Sequence, residues 1–305
     1  LEGDNVRDLV GHKNLLIDHH AGITVHAGVE VSKTEGYVSN FKTTLSDNSE
    51  FNHGVIVIAS GGSEYVPTEY GYGESENVLT QRQLERLLAA DKVQAGDRIA
   101  MIQCVGSREE PHNYCSRICC QDAIKNAITI KEMRPDAQVV IFYRDIRTYG
   151  LRENYYAKAW ILGVRFIRYE VENKPQVTQD GQGFTIKAYD PILEREIILP
   201  ADYVVLSTGL RPQPTNDELG EKYKLTRNED GFFLEAHVKL RPVDFASEGL
   251  FVAGLAHAPK NLDETISQAM AAAGRAGTVL SQNQLAVSGV IAKHKRDKCM
   301  SCLAC

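Results

Sequence analysis

The sequence predicts an α/β fold built on a parallel sheet, and three observations predict it. Between residues 98 and 168, strand-like and helix-like stretches alternate, the rhythm of parallel strands joined by crossover helices. Two fully apolar strands, at 55–59 and 203–207, each close on a turn of small residues, Ser60-Gly61-Gly62 and Thr208-Gly209. Each of these strands follows a β-meander and leads into a Pro-containing segment, 65–67 and 210–212, so the whole pattern occurs twice.

Element by element, residues 23–46 read as the first meander. Val29, Val31, Val38, Phe41 and Leu45 are spaced by polar residues, with turn signals at Gly28, Gly36 and Asp47-Asn48. A helix is expected over 80–90 with Thr80 as its N-cap, then a strand over 98–103 running into Cys104. A long helix is expected over 115–133, ended by Arg134-Pro135. A strand over 138–143, a helix over 153–162 and a strand over 165–168 complete the alternation. The second meander is expected at 184–189 and 194–199, around the turn at Asp190-Pro191. A last strand at 250–253 and a helix over 262–281 close the chain before its final cysteines.

The composition is that of an ordinary globular protein: 305 residues, 43% hydrophobic and 24% charged. The net charge of −6 gives no basic field for nucleic acid or a membrane surface. No apolar run approaches the ~18 residues that span a bilayer, and no signal peptide opens the chain, so a cytoplasmic protein is expected. The start at Leu1 and the stop at Cys305, inside a cysteine motif, read as cuts in a longer polypeptide.

Seven cysteines fall in two groups, Cys104, Cys115, Cys119 and Cys120, then Cys299, Cys302 and Cys305. Nothing else in the chain looks secreted, so metal ligation is preferred to disulfides. In the first group, Cys104 ends a strand and C-x3-C-C opens a helix. Four thiolates from those two places can converge on one metal centre, Cys115 and Cys119 standing one helical turn apart. The helix N-terminus is expected to favour their thiolate forms. Zinc accepts four cysteines too, but adjacent Cys-Cys is awkward around one tetrahedral ion, and a [4Fe–4S] cube spreads its ligands farther apart. The second group is the opening of the bacterial ferredoxin run C-x₂-C-x₂-C-x₃-C-P. His19, His20, His53 and His257 form no ligand spacing.

The doubled meander, strand and turn resembles flavoproteins built like thioredoxin reductase, with two dinucleotide-binding domains. Ile58 to Gly62 and Leu206 to Gly209 look like their closing turns, whose small residues let backbone pass close to a cofactor. Strand 250–254 followed by a helix near Asn261 resembles the closing FAD element, where a helix N-terminus faces the flavin. Leu255 stands where many members carry Asp. The strand–G-x-G-x-x-G–helix unit that cradles pyrophosphate occurs nowhere in these residues. The resemblance therefore implies the C-terminal half of an FAD domain, the other half lying upstream of Leu1. The second module lacks the Gly-rich loop as well, since Cys104-Val105-Gly106-Ser107-Arg108 stands in its place. Arg144, Asp145 and Arg147, where nucleotide-ribose contacts usually sit, then read as surface charges.

Three segments make the resemblance specific: Gln-Cys-Val-Gly-Ser-Arg at 103–108, Tyr-Cys-Ser-Arg-Ile-Cys-Cys at 114–120 and Ile-Phe-Tyr-Arg-Asp-Ile-Arg at 141–147. With Glu69-Tyr70-Gly71-Tyr72-Gly73, Ala253 to Lys260 and the Gln268-Ala269 run, they resemble the A-subunit family of heterodisulfide reductase over essentially the whole chain. The resemblance implies FAD and several [4Fe–4S] clusters, one of them held near the flavin by Cys104, Cys115, Cys119 and Cys120. It implies flavin contacts from Ser60, Gly61, Gly62, Thr208, Gly209, Gly254, Lys260, Asn261 and Gln268. It offers Lys125, one turn beyond Cys120, as a catalytic positive charge, a solvated helix lysine being the equal alternative. Implied partners are heterodisulfide reductase B- and C-like subunits, a hydrogenase or quinone-linked subunits, and a homodimer is allowed.

The expected organisation is residues 1–95 as the C-terminal part of a split FAD domain and 96–210 as an NAD-domain-like module carrying the four-cysteine site. Residues 211–290 form a closing FAD segment, and 291–305 start a ferredoxin domain. The function expected is electron transfer between flavin and clusters, with splitting of electron pairs as an extension. Two alternatives stand beside it: a pyridine-nucleotide:disulfide oxidoreductase, which would want a redox C-x-x-C in the second module, and a zinc scaffold without catalysis.

Overall fold

A computed structural model describes residues 6–181, 183–285 and 295–300. The N-terminal part carries α1 (Val6–Asp18), β1 (Val31–Tyr37), β2 (Asn40–Leu45), β3 (Glu50–His53), β4 (Ile56–Ile58) and β5 (Gly62–Glu64). The central part carries β6 (Val78–Thr80), α2 (Gln81–Ala89), β7 (Arg98–Val105), α3 (Cys119–Met133), β8 (Gln138–Tyr143), α4 (Glu153–Ile161) and β9 (Arg165–Arg168). There follow β10 (Gln176–Asp180), β11 (Gly183–Asp190), β12 (Arg195–Ala201), β13 (Tyr203–Thr208), β14 (Leu210–Pro212), α5 (Asn216–Tyr223), β15 (Leu250–Val252) and α6 (Leu262–Leu280).

The main sheet is five-stranded, in the order β6-β13-β7-β8-β9, and every neighbouring pair in it is parallel. Its two faces are both covered, which is why β7, β8 and β13 are almost wholly apolar rather than alternating. Ile99 and Met101 of β7 pack with Ile124 and Ile128 of α3 and with α2 and α4. Ala100 and Ile102, one residue out of phase, pack with Phe184 and Ile186 of the antiparallel meander β10-β11-β12. The result is three layers, helices, sheet and meander.

The other elements form a smaller body. The meander β1-β2-β3 stands beside a parallel pair, β4 and β15, and α6 packs against that pair through Ala272 and Ala276. A short antiparallel ribbon, β5 with β14, ties the turn after β4 to the turn after β13. The two small-residue turns read from the sequence therefore meet.

Four features differ from what the sequence predicts. The first meander occupies 31–53, not 23–46, because residues 23–30 lie outside any strand and Ile23 and Val25 are exposed. The helix expected over 115–133 begins at Cys119: Arg117 is in the left-handed region (φ 63°), which no helix residue adopts, so Cys115 lies on a loop. β6 and α2, both ahead of residue 96, belong to the five-stranded sheet and its helical layer. Helices α1 and α5 and strand β10 carry no signal strong enough to have been expected. Cys302 and Cys305 lie outside the described residues, and Cys299 is exposed.

Candidate iron–sulfur and flavin site

β7 delivers Cys104 to the carboxyl end of the parallel sheet, where such folds place their ligands. Cys104 turns the chain with φ 63° and Gly106 with φ 67°, and Ser107 N donates to the Cys104 carbonyl (3.2 Å). A Cβ on Gly106 would stand 2.2 Å from the Tyr65 ring, so the turn passes directly beneath that ring. Arg211 lies over the Tyr65 ring (4.5 Å to the centroid) and donates through Nη2 to the Gly106 carbonyl (2.6 Å).

The chain then returns through a loop to α3. Arg108 N donates to the Tyr114 carbonyl (3.1 Å), the Tyr114 hydroxyl donates to the Leu210 carbonyl, and Leu210 N donates to Ser116 Oγ (2.7 Å). These bonds bring Cys115 to the start of α3, where Arg117 N donates to Cys115 Sγ (3.3 Å). Cys119 and Cys120 are the first two residues of the helix. Cys104, Cys119 and Cys120 are buried, and Cys115 is half-buried.

The four thiols feel one another. The Cys119 thiol is held well above its usual range, first by its hydrogen bond to Cys120, then by burial, and further by Cys120, Cys104 and Cys115. Cys120, receiving that bond, is held below the usual range. Burial pushes Cys104 up to about 11, against the opposing charges of Arg108 and Arg144. The hydrogen bond between Cys119 and Cys120 thus sets the opposite directions at the start of the helix, while burial prevails at Cys104. Arg108 Nη1 lies 3.8 Å from Cys104 Sγ and pairs with Asp145, whose backbone carbonyl is 3.9 Å from Cys120 Sγ. Arg144 is no surface charge: its side chain is 9% exposed, pairs with Glu109 and lies over the Tyr169 ring at 5.7 Å.

Buried polar atoms without a partner gather around this end of the sheet: both amide atoms of Gln103, Ser107 Oγ, Gln121 Oε1 and Arg144 Nε. Gln103 precedes Cys104, Gln121 follows Cys120, and Arg144 bears on Cys104. Such atoms are costly unless something accepts or donates to them. Among the described residues, no group of three or more His, Cys, Asp or Glu side chains is arranged so that it could hold a metal ion. A donor set of four cysteines, flanked by guanidinium groups and orphaned donors, fits an anionic cluster whose thiolates sit at separate corners.

The flavin-side residues divide in two. Gly61 (φ 80°) has open space where a Cβ would stand, and Gly62 pairs with Pro212 in the β5–β14 ribbon. Thr208 Oγ1 donates to Glu64 (2.9 Å), Ser60 Oγ donates to Asn216 (2.6 Å), and Gly209 N donates to the Val105 carbonyl (2.9 Å). The turn before α6 is braced from within. Lys260 Nζ donates to the carbonyls of Gly254 (2.7 Å) and Ala258 (2.9 Å) and lies 3.4 Å from His257 Nδ1. Gln268 accepts from Gly254 N (2.9 Å) and donates to His257 Nδ1 (3.0 Å), while His257 Nε2 meets Glu235 (2.7 Å). Lys260 and Gln268 therefore shape this turn with their polar atoms already partnered. Asn261 starts α6 in a capping box with Glu264. Gly61 leaves open space at this end, while the side chains of Ser60, Thr208, Lys260 and Gln268 bond within the protein; the pyrophosphate loop is not among these residues.

Lys125 pairs with Glu85 across α2 and α3, so the positive charge offered there is largely neutralised. Sequence patterns alone do not single out Arg117, Arg108, Tyr65 or Gln103. The first, second and fourth lie inside the motifs around the cysteines, which was the available signal; Tyr65 left none.

No family model matches the chain. It is 38% identical over 274 residues to the second iron–sulfur A-subunit of CoB–CoM heterodisulfide reductase of Methanopyrus kandleri, covering 83% of this chain and 41% of that protein. It is 36% identical over 277 residues to the A-subunit of the H₂:CoB–CoM heterodisulfide,ferredoxin reductase of Methanothermobacter thermautotrophicus, covering 84% of this chain and 41% of that one. The chain thus spans about two fifths of the length of these curated relatives. Among solved structures it resembles T. acidophilum thioredoxin reductase, with a TM-score of 0.54 at 17% identity over 89% of this chain and 79% of that one. The fold is thioredoxin-reductase-like.

Proposed function

Because the chain belongs to the A-subunit family of heterodisulfide reductase, we propose that it forms the part of an iron–sulfur flavoprotein where electrons pass between FAD and a [4Fe–4S] cluster. Cys104, Cys115, Cys119 and Cys120 are the proposed cluster ligands. The single observation that carries this reading is that these four residues, from β7, a loop and the start of α3, interact with one another at one end of the sheet, beside partnerless buried donors. When bound, the flavin takes electrons in pairs and the cluster singly, the combination that splitting of an electron pair requires.

The chain's own contribution is placement and charge. Arg108 and Arg144 set positive charge against thiolates in a site sheltered from water, where it counts for more than in solvent. Gln103 and Ser107 supply donors toward the same end of the sheet. The turn from Gly254 to Asn261, rigidified by Lys260 and Gln268, holds the start of α6 toward the flavin side. The ferredoxin-like run at Cys299, Cys302 and Cys305 would hold a further cluster with a fourth ligand from outside these residues. By the relatives' names, the parent belongs to a multisubunit reductase, and a disulfide of coenzymes B and M is the proposed substrate of that assembly.

Iron and acid-labile sulfide in the anaerobically purified full-length protein test this reading. Expected are iron and sulfide in equal amounts, and an EPR signal on reduction that loses one component in Cys119→Ala. Zinc in place of iron would turn the reading to a scaffold, and an unchanged spectrum in Cys119→Ala would remove that residue from the ligand set.

A further inference from the structure

Arg117 stands between Cys115 and Cys119, and its main chain and side chain serve different places. Its backbone, in the left-handed region (φ 63°), points its amide at Cys115 Sγ (3.3 Å). Its guanidinium leaves the cysteine loop and reaches the turn that starts α6. Nη1 donates to the Pro259 carbonyl (3.3 Å), and Nη2 donates to Glu264 Oε1 (2.6 Å) and to the Tyr149 hydroxyl (2.7 Å). The Tyr149 ring lies 5.3 Å below the guanidinium carbon, and its hydroxyl accepts from Asn261 Nδ2 (2.9 Å). Glu264 in turn accepts from Asn261 N (2.9 Å). One side chain therefore grips both ends of the turn, Pro259 before it and Glu264 after it.

We propose that Arg117 couples the two cofactor sites, so that filling the cysteine site fixes the start of α6 in the form that takes the flavin, and the reverse. The inference rests on the cluster and flavin reading above. The physical basis is that residue 117 is held in a conformation that a residue with a Cβ enters only when its surroundings impose it. Here its amide is bonded to Cys115 Sγ, and Cys119 opens the helix two residues on. Cluster ligands at 115 and 119 fix the backbone at 117 and thereby the direction of the guanidinium. With those thiols untied, the residue is free to leave the left-handed region, and the grip on Pro259 and Glu264 goes with it. Coupling of this kind is reciprocal by thermodynamic necessity.

A second tether on the same helix supplies the control. Arg152 Nη2 donates to Asp263 Oδ1 (2.6 Å), and its guanidinium also lies over the Tyr149 ring (5.7 Å), so it holds the first turn of α6 and shares Tyr149 with Arg117 but makes no bond to the cysteine loop. Arg152→Gln should weaken flavin binding in both metal states alike, whereas Arg117→Gln should remove the difference between them.

The experiment measures the FAD dissociation constant of the full-length protein, iron-loaded and after chelation of iron, by flavin fluorescence. In the unsubstituted protein, iron removal should weaken FAD by about tenfold, within the range typical of coupled sites. In Arg117→Gln, the ratio should fall to about twofold or less, and Arg152→Gln should keep the original ratio. Arg117→Lys, which retains the charge but not the planar fork, should give an intermediate ratio and serves if the Gln variant fails to fold. A ratio near one in the unsubstituted protein, or an undiminished ratio in Arg117→Gln or Arg117→Lys, overturns the coupling while leaving both cofactors in place. Failure of the protein to hold iron or flavin at all would instead sink the functional reading, and the coupling with it.

Discussion

At Gly106 a single methyl group would stand 2.2 Å from the Tyr65 ring on a backbone already at φ 67°, so both the space and the conformation require glycine there. Gly106→Ala is expected to cost about 2 kcal/mol or more, read as a lower denaturation midpoint at unchanged slope. Lys260 offers a second test, since burial pulls its ammonium down to about 8, with the charge of Arg117 adding to the effect. The unfolded chain, with an ordinary lysine, then binds more protons than the folded one between about pH 8 and 10.5. Stability should therefore rise with pH across that window, relative to Lys260→Met, which lacks the group. Flat relative stability from pH 7 to 10 would mean that the ammonium is not strained. Of these residues, the cysteines were legible because their spacing is itself a chemical statement. Arg117 and Arg144 were not, since what they touch lies far along the chain: Glu264 is 147 residues from Arg117, and Tyr169 approaches Arg144 only through sheet packing.

At the scale of elements, local signals are legible and three-dimensional ones are not. Thr80 at the start of α2 reads as an N-cap, and it forms a full capping box with Gln83. Thr80→Ala should accordingly lose about 1 kcal/mol, measured by chemical denaturation. A change near zero would mean that Gln83 alone caps the helix. The start of α3 is hidden because Cys115 to Met133 carries uninterrupted helical composition, and only the left-handed Arg117 breaks it. Composition cannot announce that break, because arginine is a good helix former. β6 is hidden for another reason: three residues are too few for a pattern, yet Val78 and Leu79 are buried because β13 pairs with them along the sheet edge. The residues 23–30 go the other way, since alternating Val and Ile suggest a strand that no partner stabilises.

For the whole molecule, the alternation of strands and helices announces the parallel sheet, and the repeated turn correctly marks two places that the β5–β14 ribbon joins. The sharpest consequence concerns nicotinamide nucleotides. In a dinucleotide-binding domain, the turn after the first strand must leave its backbone open to a pyrophosphate and run straight into the helix whose N-terminus faces it. Here neither condition is met. The turn at Gly106 is covered by the Tyr65 ring, its carbonyl is taken by Arg211, and Arg211 is itself seated on Tyr65. The helix begins only at Cys119, after a loop that Tyr114 and Ser116 pin to Leu210, and its first turn is occupied by two cysteines. A pyrophosphate would have to displace a packed aromatic ring and an arginine held by Gly106, Tyr114, Leu210 and Tyr65 before reaching any free amide. Titration calorimetry of the full-length protein with NADH or NADPH is therefore expected to give no binding at this module tighter than about 1 mM. Arg211→Ala with Tyr65→Ala would uncover the turn without supplying the missing glycines, so it should not create binding either. Micromolar affinity in the unsubstituted protein, lost when Gly106 is changed to alanine, would show that the turn opens to a nucleotide after all and would move the module back among the nicotinamide-binding ones.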